Sequence, residues 1–94
     1  MLRITVHDSP AALRFQLEGK LIGPWVAELR QSWLTAKSVQ NDRQIIVDLA
    51  DVGFIDESGK ELLRELSQSG AKFIACQPLT RAIVDQVQDR SAIA

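Results

Sequence analysis

The stretch that most constrains this chain is Ile45-Ile46-Val47-Asp48-Leu49-Ala50-Asp51-Val52-Gly53-Phe54-Ile55-Asp56-Glu57-Ser58-Gly59-Lys60-Glu61-Leu62-Leu63. It opens with a short β-branched apolar run, which suits a strand buried on both faces. A polar stretch follows, and then Leu62, Leu63 and Leu66 fall on one side of a helix. Strands and helices repeat with different periods, so the two patterns cannot share one element. At the junction, Ser58 stands three residues before Glu61, the spacing of a capping box. The Ser58 hydroxyl would accept from the Glu61 amide while the Glu61 carboxylate reaches back to the Ser58 amide. The expectation is a buried strand followed by a helix whose N-terminus exposes a serine.

The rest of the chain supplies the partners of this unit. Leu2 to His7 alternates apolar and polar residues, and so do Leu13, Phe15 and Leu17, with the turn residues Asp8-Ser9-Pro10 between them. That pattern predicts a β-hairpin. Glu18 to Pro24 should then leave the sheet, and Pro24 opens a helix at the position where its missing N–H does no harm. Val26, Leu29, Trp33 and Ala36 form the buried stripe of that helix, with Glu28, Arg30, Gln31 and Lys37 left for solvent. Trp25, beside the loop, is expected to be partly exposed. The central strand is expected at about residues 44–49. Gly70 should end the next helix in a left-handed cap. Ala71 to Cys76 reads as a strand and closes on a buried thiol. Pro78 and Thr80 announce a last helix with Ile83, Val84 and Val87 inward, and the tail from Asp89 should fray.

The order is β-β-α-β-α-β-α, an α/β class with a small, mostly parallel sheet and helices packed against it. The 94 residues make one domain, with its core over about residues 2–88.

Several functions are excluded or disfavoured by what is missing. The net charge is −1 and no basic cluster stands out, which argues against nucleic acid. No apolar run approaches the roughly 20 residues needed to cross a bilayer. The N-terminal residues lack a leader's apolar core, and the one cysteine leaves no internal disulfide. A cytoplasmic location is the expectation. His7 and Cys76 are too far apart to suggest a zinc site, so no metal is expected. Gly53 and Gly59-Lys60 imitate a phosphate-binding loop, but the glycines are one residue too far apart and Glu61 stands where a hydroxyl is required. Asp56 has no carboxylate, histidine or nucleophile in sequence with which to form a catalytic set. No cofactor and no enzymatic activity are expected; Asp56 is read as steadying the loop and the helix N-terminus.

These residues resemble the STAS domain, the family of sulfate-transporter domains and anti-sigma factor antagonists. The family's apolar-Asp-Leu strand motif is matched by Val47-Asp48-Leu49, and its Asp-x-Ser-Gly motif by Asp56-Glu57-Ser58-Gly59 after Val52-Gly53-Phe54-Ile55. Leu17-Glu18-Gly19-Lys20-Leu21 is similar to the family's Leu-x-Gly-x-Leu segment, and Gly70-Ala71-Lys72-Phe73 to the glycine before its next strand. In the antagonists, a partner that is both kinase and anti-sigma factor phosphorylates the serine, and a phosphatase resets it. The resemblance therefore implies Ser58 as phosphoacceptor within the loop Asp56, Glu57, Gly59, Lys60 and Glu61. It also implies a partner-binding surface of Gly23, Pro24, Trp25 and an exposed Arg64. Lys60 replaces an apolar residue usual in the antagonists, and Ile22-Gly23-Pro24-Trp25 replaces a more polar loop. The alternative within the family is an accessory subunit that binds the ATPase of a phospholipid-transport ABC complex without phosphorylation. Read from its own residues alone, Ser58 is a helix cap.

Overall fold

Alternation in the first residues produces the hairpin. Strand β1 (Leu2–Asp8) pairs antiparallel with β2 (Ala12–Leu21). The computed structural model describes residues 2–40, 43–75 and 77–93, with side chains as far as Gln86. Helix α1 (Pro24–Ser38) follows, then β3 (Gln44–Ile55), α2 (Glu57–Gln68), β4 (Lys72–Ile74) and α3 (Pro78–Ile93). The four strands lie in the order β1-β2-β3-β4, with β2/β3 and β3/β4 parallel. The expected element order is therefore the observed one. Helix α3 runs on to Ile93, through the tail expected to fray. The expectations for Cys76 and for the Val87 side chain fall outside the described residues.

Leu13, Phe15 and Leu17 on β2 and Ile45, Val47 and Leu49 on β3 are buried in a core shared with Val26, Leu29, Trp33 and Ala36 of α1 and Leu62, Leu63 and Leu66 of α2. Ile83 and Val84 of α3 close it. Trp33 meets Phe15 edge to face at 6.3 Å, and Lys37 lies over its ring. Such a pair is worth about 1 kcal/mol beyond burial of its area. Ile46, Asp48 and Ala50 are only half-buried, so β3 is fully covered on one face and not on both.

Two strands run further than their sequence pattern indicates. β3 continues past Leu49 to Ile55, and β2 stays beside it through Leu21 instead of leaving at Glu18. The pairing shifts register between Gln16 and Glu18 and again between Gly19 and Lys20, each time with an extra residue on β3. These bulges break the period of two, which hides the strand from pattern reading. At the first bulge the Asp48 carboxylate accepts from the Ala50 amide at 3.0 Å. Val52 and Ile55 still reach the core.

At the far end of α2, Gly70 takes φ 96°. The Ala71 amide donates to Leu66 O and the Gly70 amide to Ser67 O, both at 3.0 Å. This is a Schellman cap, as the glycine predicts.

Candidate functional site

The site is built where β3 turns into α2. Asp56, not Ser58, occupies the N-cap: its backbone is extended (φ −85°, ψ −177°) and its carbonyl accepts from the Lys60 amide at 2.9 Å. The Asp56 carboxylate accepts from the Gly59 amide through Oδ1 at 2.8 Å. The expected capping box between Ser58 and Glu61 is thus overturned. The helix begins two residues earlier than that box requires, and Asp56 already fills the serine's part. Glu57 occupies the first turn, where its charge favours the helix dipole.

The second oxygen of Asp56 leaves its own helix. Oδ2 accepts from the Gly23 amide at 3.0 Å, across 33 residues of sequence. Hydrogen bonds from Gly23 and then Gly59 hold the carboxyl below its ordinary value, against a smaller opposing effect of burial. The Asp56 amide donates to Leu21 O at 3.2 Å. Gly59 completes the seam by packing, because a Cβ there would lie 2.7 Å from Leu21 O and 2.8 Å from Ile55 Cγ2. Asp56 and Gly59 thus join the end of β2 to the start of α2.

Ser58 stands inside the first turn of α2, exposed, and its hydroxyl has no side-chain hydrogen bond among the described residues. Its neighbours are charged. Lys60 Nζ pairs with Glu57 Oε1 at 3.3 Å, and Glu61 is exposed.

The structure brings Gly23 to Asp56, with Pro24 exposed beside it at the start of α1. Trp25 is half-buried against the core, as its place beside the loop predicts. Arg64 departs from expectation. It is half-buried, one turn beyond Lys60 on α2, and its Nε is enclosed without a hydrogen-bond partner among the described residues.

A groove of about 390 Å³ runs beside the junction, lined by Phe54, Ile55, Asp56, Glu57, Lys60, Leu79 and Ile83. Phe54 is 50% and Leu79 56% exposed, so its apolar wall faces solvent. Sequence reading overlooked both residues. The bulges hid which way Phe54 points, and Leu79 precedes the apolar stripe of α3. A larger hollow lies away from Ser58, between β1 and α1, and is lined by Leu2, Ile4, Ala27, Glu28, Gln31 and Ser32.

Among the described residues no cluster of His, Cys, Asp and Glu could hold a metal ion, and no helix is long and apolar enough to cross a membrane. The arrangement offers an accessible hydroxyl in a charged setting beside a solvent-facing, partly apolar groove.

No family model matches the sequence, and no curated protein matches it either. Solved structures do match. The anti-sigma factor antagonist SpoIIAA, in its unphosphorylated form, superposes with a TM-score of 0.65 at 22% identity, covering 88% of this chain and 82% of that one. Mglu superposes with a TM-score of 0.60 at 19% identity over 79% of this chain. The chain spans only 19% of the length of Mglu. At these identities the likeness is one of fold: this chain has a STAS-like fold, with the strand and helix order that its motifs imply.

Proposed function

We propose that this chain is a non-enzymatic regulatory module that binds other proteins, of the anti-sigma factor antagonist type, and that Ser58 is its phosphoacceptor. The observation that carries this reading is the separation of roles at the junction. Asp56 caps the helix, which leaves the Ser58 hydroxyl exposed and structurally unemployed. A serine kept only as a cap would hold the position that Asp56 holds.

Phosphorylation would add a charge of about −1.5 to −2 at neutral pH. The free amides and dipole of the α2 N-terminus tolerate such a group. Asp56, Glu57 and Glu61 make the surface acidic already, so the phosphate would repel an acidic partner and obstruct one fitted to the neutral serine. Lys60, now paired with Glu57, is the cation nearest in sequence. A partner serine kinase, itself the anti-sigma factor, brings the nucleotide chemistry, and a phosphatase reverses it. Binding involves the 56–61 junction and the Gly23–Trp25 segment, with Arg64 at its flank, in the cytoplasm.

Intact-mass analysis of protein from its native cells, with peptide mapping across Ile55 to Arg64, tests the reading. A phosphate on Ser58, lost in Ser58→Ala, is the expected result. Unmodified protein under every growth and stress condition would remove it and leave the alternative of an accessory subunit bound to a transport ATPase.

A further inference from the structure

A helix cap needs one acceptor oxygen. Asp56 has two in use, and the second serves a segment that belongs to another helix. That segment has little to hold it by itself. Gly23 lies at φ 50° and ψ −126°, a backbone region that L side chains rarely adopt. No side chain of its own caps α1, and its first turn carries no acidic residue. Backbone bonds from Trp25 to Ile22 O at 3.0 Å and from Val26 to Gly23 O at 3.1 Å shape the turn but do not tie it to α2. Among the described residues, the Asp56 side chain makes the side-chain bond that does.

Resting on the reading of Ser58 above, we infer that Asp56 is the positioning residue of the docking surface. Its carboxylate fixes the Gly23–Trp25 segment against the N-terminus of α2. A protein that modifies Ser58 then meets the serine and the Gly23–Trp25 segment as one preformed surface, and does not bear the entropic cost of ordering the loop. Asp56 takes no part in phosphoryl transfer. It acts through Gly23.

Asp56→Asn separates this role from capping. Asparagine is as good an N-cap as aspartate, but its side chain has one oxygen and one NH2 group, and the NH2 cannot accept from an amide. At most one of the two bonds survives. With the full chain isotope-labelled, NMR exchange rates of the Gly23 and Gly59 amides are compared in wild type, Asp56→Asn and Asp56→Ala. The expected result in Asp56→Asn is Gly23 exchange about tenfold faster and Gly59 exchange changed by less than about twofold. In Asp56→Ala both amides exchange faster.

Phosphate occupancy at Ser58 in native cells is the second readout. It should fall about tenfold in Asp56→Asn while the thermal midpoint drops only by the small amount that one lost hydrogen bond brings and the protein stays folded, a split that a role in folding alone would not produce. Unchanged Gly23 exchange in Asp56→Asn would overturn the inference. So would wild-type occupancy despite a loosened Gly23, or a loss of occupancy confined to Asp56→Ala, where the cap itself is gone. If wild-type protein never carries phosphate, the reading of Ser58 fails separately. The amide pair then decides whether Asp56 holds the segment.

Discussion

The N-termini of α1 and α2 solve one problem in opposite ways. Each must satisfy the free amides of a first helical turn. Helix α2 does so locally: Asp56 precedes it, Glu57 opens it, and Gly59 allows the turn to press against Leu21. Helix α1 has Pro24 in its first turn, no side-chain cap and no acidic residue there, and its preceding amide is satisfied by the carboxylate of Asp56, the N-cap of α2. One start is written in consecutive residues. The other depends on an element that forms only when the sheet has assembled. Damage at the α2 start should therefore reach α1, while damage at α1 should stay where it is made.

The largest test of that asymmetry is Gly59→Ala. The added Cβ would meet a backbone carbonyl that cannot swing aside. Overpacking of this kind costs up to about 3 kcal/mol, offset by about 1 kcal/mol of helix propensity. A net loss near 2 kcal/mol in urea titration is expected, with Gly23 exchange also raised. Gly53→Ala, where a Cβ meets nothing within 4 Å, is its control and should stay near wild type. Gly23→Ala comes next. Open space surrounds it, so the cost is the backbone conformation alone, about 1–2 kcal/mol. Exchange at Gly59 should be unaffected.

The same asymmetry explains what the sequence reveals. The hairpin, the stripe of α1, the stripe of α2 and the Gly70 cap rest on local patterns, and all are found. The resemblance to STAS-family motifs is what drew attention to the Asp56–Gly59 junction. The capping box failed because two residues near a helix start, Asp56 and Ser58, could each act as N-cap; spacing favours Ser58, while backbone conformation selects Asp56. The extension of β3 to Ile55 failed because its bulges are a property of pairing with β2. The bond from Asp56 to Gly23 links residues far apart in sequence, and no local rule announces it.

Asp56→Asn sharpens the comparison through pH. The Asp56 carboxyl lies below the ordinary value of 3.8 because Gly23 and Gly59 donate to its charged form. Its stabilisation is therefore complete above that value and is lost as pH falls through the lower folded value. The stability difference between wild type and Asp56→Asn should be level at neutral pH, shrink below 3.8 and vanish once the carboxyl is protonated. A difference that persists in acid would place the effect in packing and not in the charge.

The smallest effect concerns the direct bond between the two helices. Arg30 Nη1 lies 2.7 Å from Glu65 Oε2, with the side chains 48% and 53% exposed. A pair in that setting is screened and loses side-chain entropy, so a double-mutant cycle of Arg30→Ala and Glu65→Ala should return only about 0.3–0.5 kcal/mol. Its use lies in where it acts. The pair joins the same two helices as Asp56 but away from their starts. If contact between α1 and α2 as bodies were what steadies Gly23, breaking the pair would raise Gly23 exchange along with the loss of coupling. If the dependence runs through the carboxylate, Gly23 exchange in Arg30→Ala stays at the wild-type rate while Asp56→Asn alone raises it. The second result is expected, because the helices also meet through the buried Leu29, Trp33, Leu62 and Leu66 core, which this substitution leaves in place.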